Sequence, residues 1–195
     1  MGYLTVRLPF DANGDVVKEL LSTVWLFKMA THRVLSLARQ QQVLPGTRIG
    51  WKNTFRDIAY GVIPNRRYAD GAIILVMGIY ESCRSLGVDF RGVELADWLM
   101  FQQSELEYPN RNITLKPNYV FHVTTVRFDG SIGRVVLKPT ISKTYKELLD
   151  AILTERIKYV GKVLIDGVGA RGSQLWLHGE VQVTIPSRCL LRTHG

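Results

Sequence analysis

The segment 51–68 combines basic side chains with aromatic rings. It contains four aromatic residues and a single acid, Asp57. The basic residues of the segment are Lys52, Arg56, Arg66 and Arg67. Cations interleaved with aromatic residues are typical of a nucleic-acid surface, where the cations neutralise backbone phosphates.

Two of these cations belong to an amphipathic helix predicted at residues 51–62. Its apolar face consists of Trp51, Phe55, Ile58, Ala59 and Val62. Lys52 and Arg56, four residues apart, project together beside that face, so we expect the basic face to be free for phosphates. The alternative is an ordinary amphipathic helix with a solvated rim, because short basic clusters are weak motifs.

The charge of the whole chain favours a polyanionic partner, RNA or DNA. Its 25 Lys and Arg residues outnumber 17 Asp and Glu residues, which gives a formal net charge of +8. Such an excess attracts nucleic acid electrostatically but specifies no fold. With 195 residues and 46% hydrophobic content, the chain can bury one substantial core or two small ones.

Cysteine usage and hydropathy indicate a protein of the cytoplasm. Cys83 and Cys189 lie far apart and belong to no CxxC motif, so no zinc site is predicted and a reducing compartment is expected. The N-terminus lacks the pattern of a signal peptide. The longest apolar run, residues 71–80, is about half of the ~20 residues that a membrane span requires. We expect that run to lie in a buried helix, with no membrane contact.

Hydrophobic periodicity predicts one strand followed by four helices in the first part of the chain. The strand covers residues 3–8, and the helices cover residues 16–41, 51–62, 66–86 and a segment that begins at Val93. Asn65 and Gly87 are the expected N-cap and C-terminal stop of the third helix. We expect this third helix to be the most buried.

After Asn110 the chain becomes rich in β-branched and aromatic residues, which favour strands. The predicted strands cover residues 112–116, 119–128, 134–138, 160–165 and 174–185. Asp129-Gly130 is expected to form a hairpin turn, and a helix is expected at residues 144–158. The glycine-rich residues 166–173 are expected to connect two strands as a hairpin.

These elements predict an α+β fold with three parts. We expect a small antiparallel β barrel from residues 1–10 and 110–186, because the first strand is expected to join the later sheet. The helices are expected to form an inserted lobe at residues 11–109, and residues 187–195 a tail.

Residue types suited to catalysis do not converge in the sequence. Glu94 and Asp97 share a face of the predicted fourth helix. They could bind a metal ion together, and the alternative is an ordinary solvated helix face. His122 lies in a predicted strand, as a sheet-surface or core histidine. The chain has no HExxH, GxSxG or Walker motif. No catalytic residue, metal site or cofactor is predicted.

Three segments resemble the N-terminal half of archaeal TnpB proteins, which are transposon-encoded, RNA-guided DNA nucleases. They are WLFKMATHRVLSLAR at residues 25–39, IPNRRYADGAIILVMGIYESCRSLGVDF at residues 63–90 and GEVQVTIP at residues 179–186. The resemblance extends over residues 1–186. It implies a wedge-like barrel and a helical recognition lobe that together hold guide RNA and the guide–target heteroduplex.

The TnpB pattern continues with a RuvC-like nuclease domain, which carries three acidic residues and four zinc-binding cysteines. After GEVQVTIP this sequence continues with SRCLLRTHG, which contains no acidic residue. The nuclease activity is therefore not carried over, and we expect a nucleic-acid-binding protein rather than an enzyme. A truncated element, the N-terminal half alone and a stand-alone binding module are the alternatives.

Nucleic-acid binding is assigned to ten cations. They are Arg33, Lys52, Arg56, Arg66 and Arg67 in the helices, and Lys116, Arg127, Arg134, Lys138 and Arg171 in the sheet. Such cations can hold a heteroduplex through its backbone and A-form shape. The alternative is a folded or oligomeric protein with no nucleic-acid role. In that case Trp176, Leu190 and Leu191 would contact a protein partner or a second copy.

Overall fold

The computed structural model describes residues 2–189 and shows the predicted α+β fold class, with helices and antiparallel strands. The strands are β1 (Tyr3–Asn13), β2 (Met100–Gln102), β3 (Ile113–Lys116), β4 (Val120–Val126), β5 (Ile132–Leu137), β6 (Val160–Arg171) and β7 (Gln174–Pro186). The α-helices are α1 (Asp15–Gln40), α2 (Arg48–Val62), α3 (Arg66–Leu86) and α4 (Lys143–Glu155). Short 3-10 turns lie at Phe90–Gly92, Pro117–Tyr119 and Ser187–Cys189.

The larger sheet has four strands in the order β1-β7-β6-β2. Its pairing of β1 with β7 confirms that the first strand joins the later sheet. β1 continues to Asn13 instead of stopping before Pro9, because β1 is an edge strand, where a proline is tolerated. The fully buried Leu8, Val181 and Phe101 come from three of these strands and contribute to the core.

The smaller sheet has three strands in the order β3-β4-β5. Its inner face is apolar and buried, with Ile113, Val123 and Val135 on successive strands. Helix α1 is tied to this sheet, since the Ser22 hydroxyl donates to the Val126 carbonyl at 2.8 Å. The alternate residues of these strands form a second, partly exposed face.

The predicted caps of α3 are confirmed. The Asn65 side chain accepts a hydrogen bond from the Tyr68 amide at 3.1 Å, and Gly87 ends the helix in the left-handed conformation with φ 69°. Helix α2 starts earlier than predicted, at Arg48, because the Thr47 side chain caps it by accepting from the Gly50 amide at 3.0 Å.

Helix α3 is not the most buried helix, contrary to the sequence-based expectation. It has 8 buried residues among 21, whereas α1 has 12 among 26. The reason is that Ile74, Gly78 and Leu86 line an open cavity of about 490 Å³, so Ile74 and Gly78 are only half-buried and Leu86 is exposed. Within residues 2–189, no helix combines the length and the hydrophobicity needed to cross a bilayer.

The fourth helix predicted from Val93 does not form. Residues 93–99 are irregular and lead into β2, whose Phe101 lies opposite Val163 of β6. Pairing with the sheet therefore overrides local helix propensity in this segment. Glycine is required where α3 meets β2, because a Cβ on Gly71 would lie 2.1 Å from the Gln102 carbonyl oxygen.

The glycine-rich segment forms a hairpin, as predicted, but with a shorter turn. β6 and β7 continue pairing as far as Arg171 and Gln174. Only Gly172 and Ser173 are left to turn the chain, and Gly172 adopts a positive φ of 61°. A two-residue turn commonly requires such a conformation.

Candidate nucleic-acid interface

The basic face of α2 is not free, contrary to the expectation from its sequence. Lys52 is 6% exposed and forms an ion pair with Glu105. Arg56 donates to both carboxylate oxygens of the buried Asp70, at 3.0 and 3.2 Å. These cations lie where α2 meets α3 and the chain around residue 105. A cation in such a position needs a carboxylate partner to offset its loss of water.

Both of these ion pairs are stabilised in their charged forms. The hydrogen bond from Lys52 lowers the pKa of Glu105, and this effect exceeds the opposing effect of burial. The hydrogen bond to Asp70 raises the pKa of Arg56, again against the effect of burial. Both shifts favour the charged forms of Glu105 and Arg56.

A third pair completes the contact between the helices and the chain that precedes β3. Arg67 Nε donates to the two carboxylate oxygens of Glu107 at 2.9 and 3.0 Å. Gln103 donates through Nε2 to the same carboxylate at 3.4 Å. Three of the four cations in the segment 51–68 thus have a carboxylate partner, and the fourth, Arg66, does not within residues 2–189.

These three pairs surround a polar cavity of about 280 Å³, here named the basic cavity. Its charged lining residues are Lys52, Arg56, Arg66, Arg67, Arg111, Asp70, Glu105 and Glu107. Arg66 and Arg111 are exposed and have no ion pair within residues 2–189. The cavity therefore contains two cations that remain available to an anion.

A second group of the predicted cations lies on the partly exposed face of the smaller sheet. We name it the basic sheet face, and it consists of Thr114, Lys116, His122, Thr124, Arg134, Val136 and Lys138. In the strand register, Thr114 lies opposite His122 and His122 lies opposite Val136. Lys138 directly follows β5 and continues its alternation of buried and exposed residues.

The basic sheet face carries positive charge without a compensating carboxylate at any of its seven positions. Lys116, Arg134 and Lys138 are exposed, and none of them forms an ion pair within residues 2–189. His122 lies between them, half-buried, and its Nδ1 has no hydrogen-bond partner in the described chain. The face is open to an anionic partner.

The remaining predicted cations lie apart from both groups. Arg33 is an exposed residue of α1. Arg127 donates to Glu19 at 2.8 Å and is therefore paired. Arg171 is exposed at the end of β6, beside the turn of the β6–β7 hairpin.

The residues considered for other functions are not brought together. Glu94 and Asp97 do not share a helix face, because that helix does not form, and Asp97 forms an ion pair with Lys28. In the part of the chain that the structure describes, no group of three or more His, Cys, Asp or Glu residues is placed to hold a metal ion. Trp176 is half-buried beside His178, with ring centroids 5.0 Å apart, and Leu190 and Leu191 lie outside the described residues.

Sequence reasoning missed Arg111 and the carboxylates of the basic cavity. Arg111 follows the segment for which the sequence predicts a fourth helix, and it is separated in sequence from the cations of α2 and α3. The only sequence signal for this cavity is the pair of acids Glu105 and Glu107, two residues apart and shortly before Arg111. Two acids in a region of extended chain can face neighbouring cations, but the sequence does not show which cations these are.

The chain is similar over most of its length to two uncharacterized proteins of Aeropyrum pernix. Over 186 residues it is 61% identical to one and 60% identical to the other. Each comparison covers 95% of this chain, and 50% or 44% of the respective relative. The chain thus spans about half the length of the curated relatives it matches.

One solved structure with a similar chain is the cryo-EM structure of the Cas12f1–sgRNA–target DNA complex. The similarity has a TM-score of 0.48 at 5% sequence identity and covers 88% of this chain and 42% of the other. A likeness at this level is too weak to support an inference about function. The model of the SSO2105 N-terminal domain, by contrast, matches residues 7–194. The chain therefore belongs to the family of the SSO2105 N-terminal domain.

Proposed function

We propose that this protein binds structured RNA, or an RNA–DNA heteroduplex, through backbone phosphates, and that the basic sheet face is its main contact surface. The observation that carries this proposal is the grouping of Lys116, Arg134 and Lys138 on one face without a carboxylate. Because these cations have no ion pair within residues 2–189, a phosphate can bind them without breaking an existing contact.

The spacing of the three cations suits a nucleic-acid backbone. Arg134 and Lys138 are four residues apart along one extended segment, which separates their Cα atoms by roughly 13 Å. A strand with a rise of about 3.4 Å per nucleotide covers this distance in roughly four nucleotides. Lys116 lies two strands away, roughly 10 Å across the sheet. The three side chains can therefore contact well-separated phosphates.

The chemistry of the face favours recognition of the backbone over recognition of bases. His122 supplies the only ring among its seven positions, whereas proteins that read single strands stack successive bases on several aromatic side chains. Cations without a stacking platform bind the phosphates and the helical shape. Such binding is expected to depend strongly on salt and weakly on base sequence.

The resemblance to TnpB proteins suggests the finer identity of the ligand. We infer that the chain acts as a guide-RNA or heteroduplex-binding module of a TnpB-like, transposon-associated protein, and that it binds without cleaving. The support for binding without cleavage is that residues 93–99 form no helix, so Glu94 and Asp97 do not share a helix face, and that Asp97 forms an ion pair with Lys28. The ligand class is supported by the TnpB-like segments of the sequence.

The proposal is tested by removing the three cations together in the variant K116Q/R134Q/K138Q. The control is K143Q/K158Q/R91Q, which removes the same charge from three exposed cations outside the face. Binding to a structured RNA is measured by fluorescence anisotropy between ~50 and ~200 mM salt. Each phosphate contact contributes a slope of about 0.7 to 0.9 in log K against log salt, so the test variant should lose a slope of about 2 to 3.

The comparison between the two variants decides the outcome. We expect the test variant to bind more than tenfold more weakly than the unchanged protein at low salt, and the control variant to keep the full salt slope. Equal losses of affinity in both variants would show that only net charge matters. Unchanged binding by K116Q/R134Q/K138Q would rule out the basic sheet face as the contact surface.

A further inference from the structure

We propose that the basic cavity is a pocket for a terminal phosphate of a nucleic-acid strand. This inference rests on the nucleic-acid binding proposed above, but it concerns a different site. Its central residues are Arg66 and Arg111, and neither belongs to the basic sheet face. The pocket would fix the end of a strand, whereas the sheet face would hold its backbone.

The charge of the cavity matches a phosphate monoester. Five cations and three carboxylates line it. Each carboxylate is neutralised by one cation in the three ion pairs, which involve Lys52, Arg56 and Arg67. Two positive charges remain, those of Arg66 and Arg111. A terminal phosphate carries about −1.5 to −2 charges at neutral pH, so it balances them more closely than an internal phosphodiester, which has one negative charge.

The two available arginines are held close together by their neighbours in sequence. Asn65 and Asn112 exchange two side-chain hydrogen bonds, at 2.7 and 3.3 Å. Arg66 directly follows Asn65, and Arg111 directly precedes Asn112. This amide pair joins the start of α3 to the chain that enters β3, and it places both guanidinium groups at one cavity. Guanidinium groups are suited to phosphate because they donate in a planar fork.

The start of α3 adds to the positive potential of the cavity. Arg66 is the first residue of this 21-residue helix, and Arg66, Arg67 and Asp70 of its first turns line the cavity. The first amides of a helix have no acceptor within the helix, and the helix dipole is positive at this end. Anions bind at such ends for both reasons.

A buried polar atom gives independent evidence for a ligand. Gln103 is 2% exposed and lines the cavity, and its Oε1 has no hydrogen-bond partner within residues 2–189. Glu107 accepts from Nε2 of the same amide, which fixes the amide orientation. Oε1 therefore needs a donor, and a hydroxyl of the sugar that carries the phosphate supplies one. The cavity volume of about 280 Å³ is near the lower limit of small-molecule pockets, about 300 Å³, so it suits one terminal group.

The test compares one RNA oligonucleotide prepared with a 5′-phosphate, with a 3′-phosphate, or with hydroxyls at both ends. We expect the unchanged protein to bind one of the phosphorylated forms about tenfold more tightly, because Arg66 and Arg111 can donate charge-assisted hydrogen bonds to a terminal phosphate. R66Q/R111Q should lose this preference. The matched control K116Q/K138Q should bind all three forms more weakly and keep the preference. Equal binding of the three forms by the unchanged protein would overturn the proposal.

A second measurement keeps the pocket testable if no oligonucleotide binds. Inorganic phosphate, compared with chloride at equal ionic strength, should raise the Tm of the unchanged protein and have a smaller effect on R66Q/R111Q. Equal Tm shifts in the two proteins would exclude an anion site at these arginines. Protection by free phosphate without any preference for phosphorylated strand ends would overturn the assignment to a nucleic-acid terminus and indicate a free phosphate site.

Discussion

The ion pair between Arg56 and Asp70 offers the sharpest test of how the helices are held together. Asp70→Asn keeps the shape of the side chain and removes its charge. One amide oxygen can still accept from Arg56, but one charge-assisted hydrogen bond is lost, which costs about 1.5 to 3 kcal/mol. Full loss of a buried pair would cost about 3 to 5 kcal/mol. The smaller value applies because the Arg56 side chain is 29% exposed and keeps part of its water.

The change should be visible in equilibrium unfolding. A loss of about 2 kcal/mol lowers the Tm of a domain of this size by roughly 4–8 °C. Urea unfolding followed by circular dichroism gives the free energy of unfolding for D70N and for the control D97N. Asp97 is also ion-paired, but its side chain is 93% exposed, so D97N should leave the urea midpoint within experimental error. The loss of unfolding free energy in the double variant R56Q/D70N should be smaller than the sum of the losses in the two single variants.

Two results would refute this reasoning. If D70N unfolds at the same urea concentration as the unchanged protein, Asp70 does not compensate Arg56. If D97N is destabilised as much as D70N, burial does not determine the strength of these pairs. A third readout is nucleic-acid affinity, which D70N should not reduce, since the basic cavity becomes more positive.

Two further predictions concern close packing and pH. Gly71→Ala should destabilise the protein by about 1–3 kcal/mol, because the new methyl group would meet the Gln102 carbonyl oxygen. The control is Gly78→Ala on the same helix, whose new methyl group meets no atom within 4 Å and which should be neutral or stabilising by up to ~1 kcal/mol. Equal urea midpoints for the two variants would contradict this prediction. The pKa of Glu105 is lowered by its hydrogen bond from Lys52, so the unfolded chain binds the proton more readily and stability should fall as the pH drops below about 4.5. Glu105→Gln should reduce this acid dependence of the Tm, and an unchanged pH profile would count against the pair.

Most helices and strands could be predicted because their signals are local. The Asn65 cap and the Gly87 stop of α3 involve residues within one turn of the helix ends. The hairpin between β4 and β5 is marked by Asp129 and by Gly130, which has a φ of 85°. Such signals depend on the conformations that single residues favour, and these are readable without knowledge of the fold.

The basic cavity could not be predicted because its contacts are distant in sequence. Lys52 and Glu105 are 53 residues apart, and Arg67 and Glu107 are 40 apart. Periodicity shows that a side chain lies on a given helix face but not what that face will meet. For this reason alanine at all four cations of residues 51–68 would be a poor test of RNA binding, since three of them have carboxylate partners and their loss would also weaken the fold.

The basic sheet face is an intermediate case. Lys116, Arg134 and Lys138 could be proposed from their residue type, and the alternation of each strand indicates which residues are exposed. Their common face also requires the register between β3, β4 and β5. A shift of one residue would turn one strand over, and the turn at Asp129-Gly130 fixes only one of the two pairings.

The pairing of β1 with β7 brings Tyr3 opposite Pro186, so the two ends of the sheet region meet at adjacent strands about 4.8 Å apart. A unit with neighbouring ends can be inserted into a surface loop of another protein, or joined to a second domain at one edge, without rerouting its own chain. The same geometry makes the fold suitable for circular permutation, with residues 3 and 186 linked and the chain opened at the turn between Gly172 and Ser173.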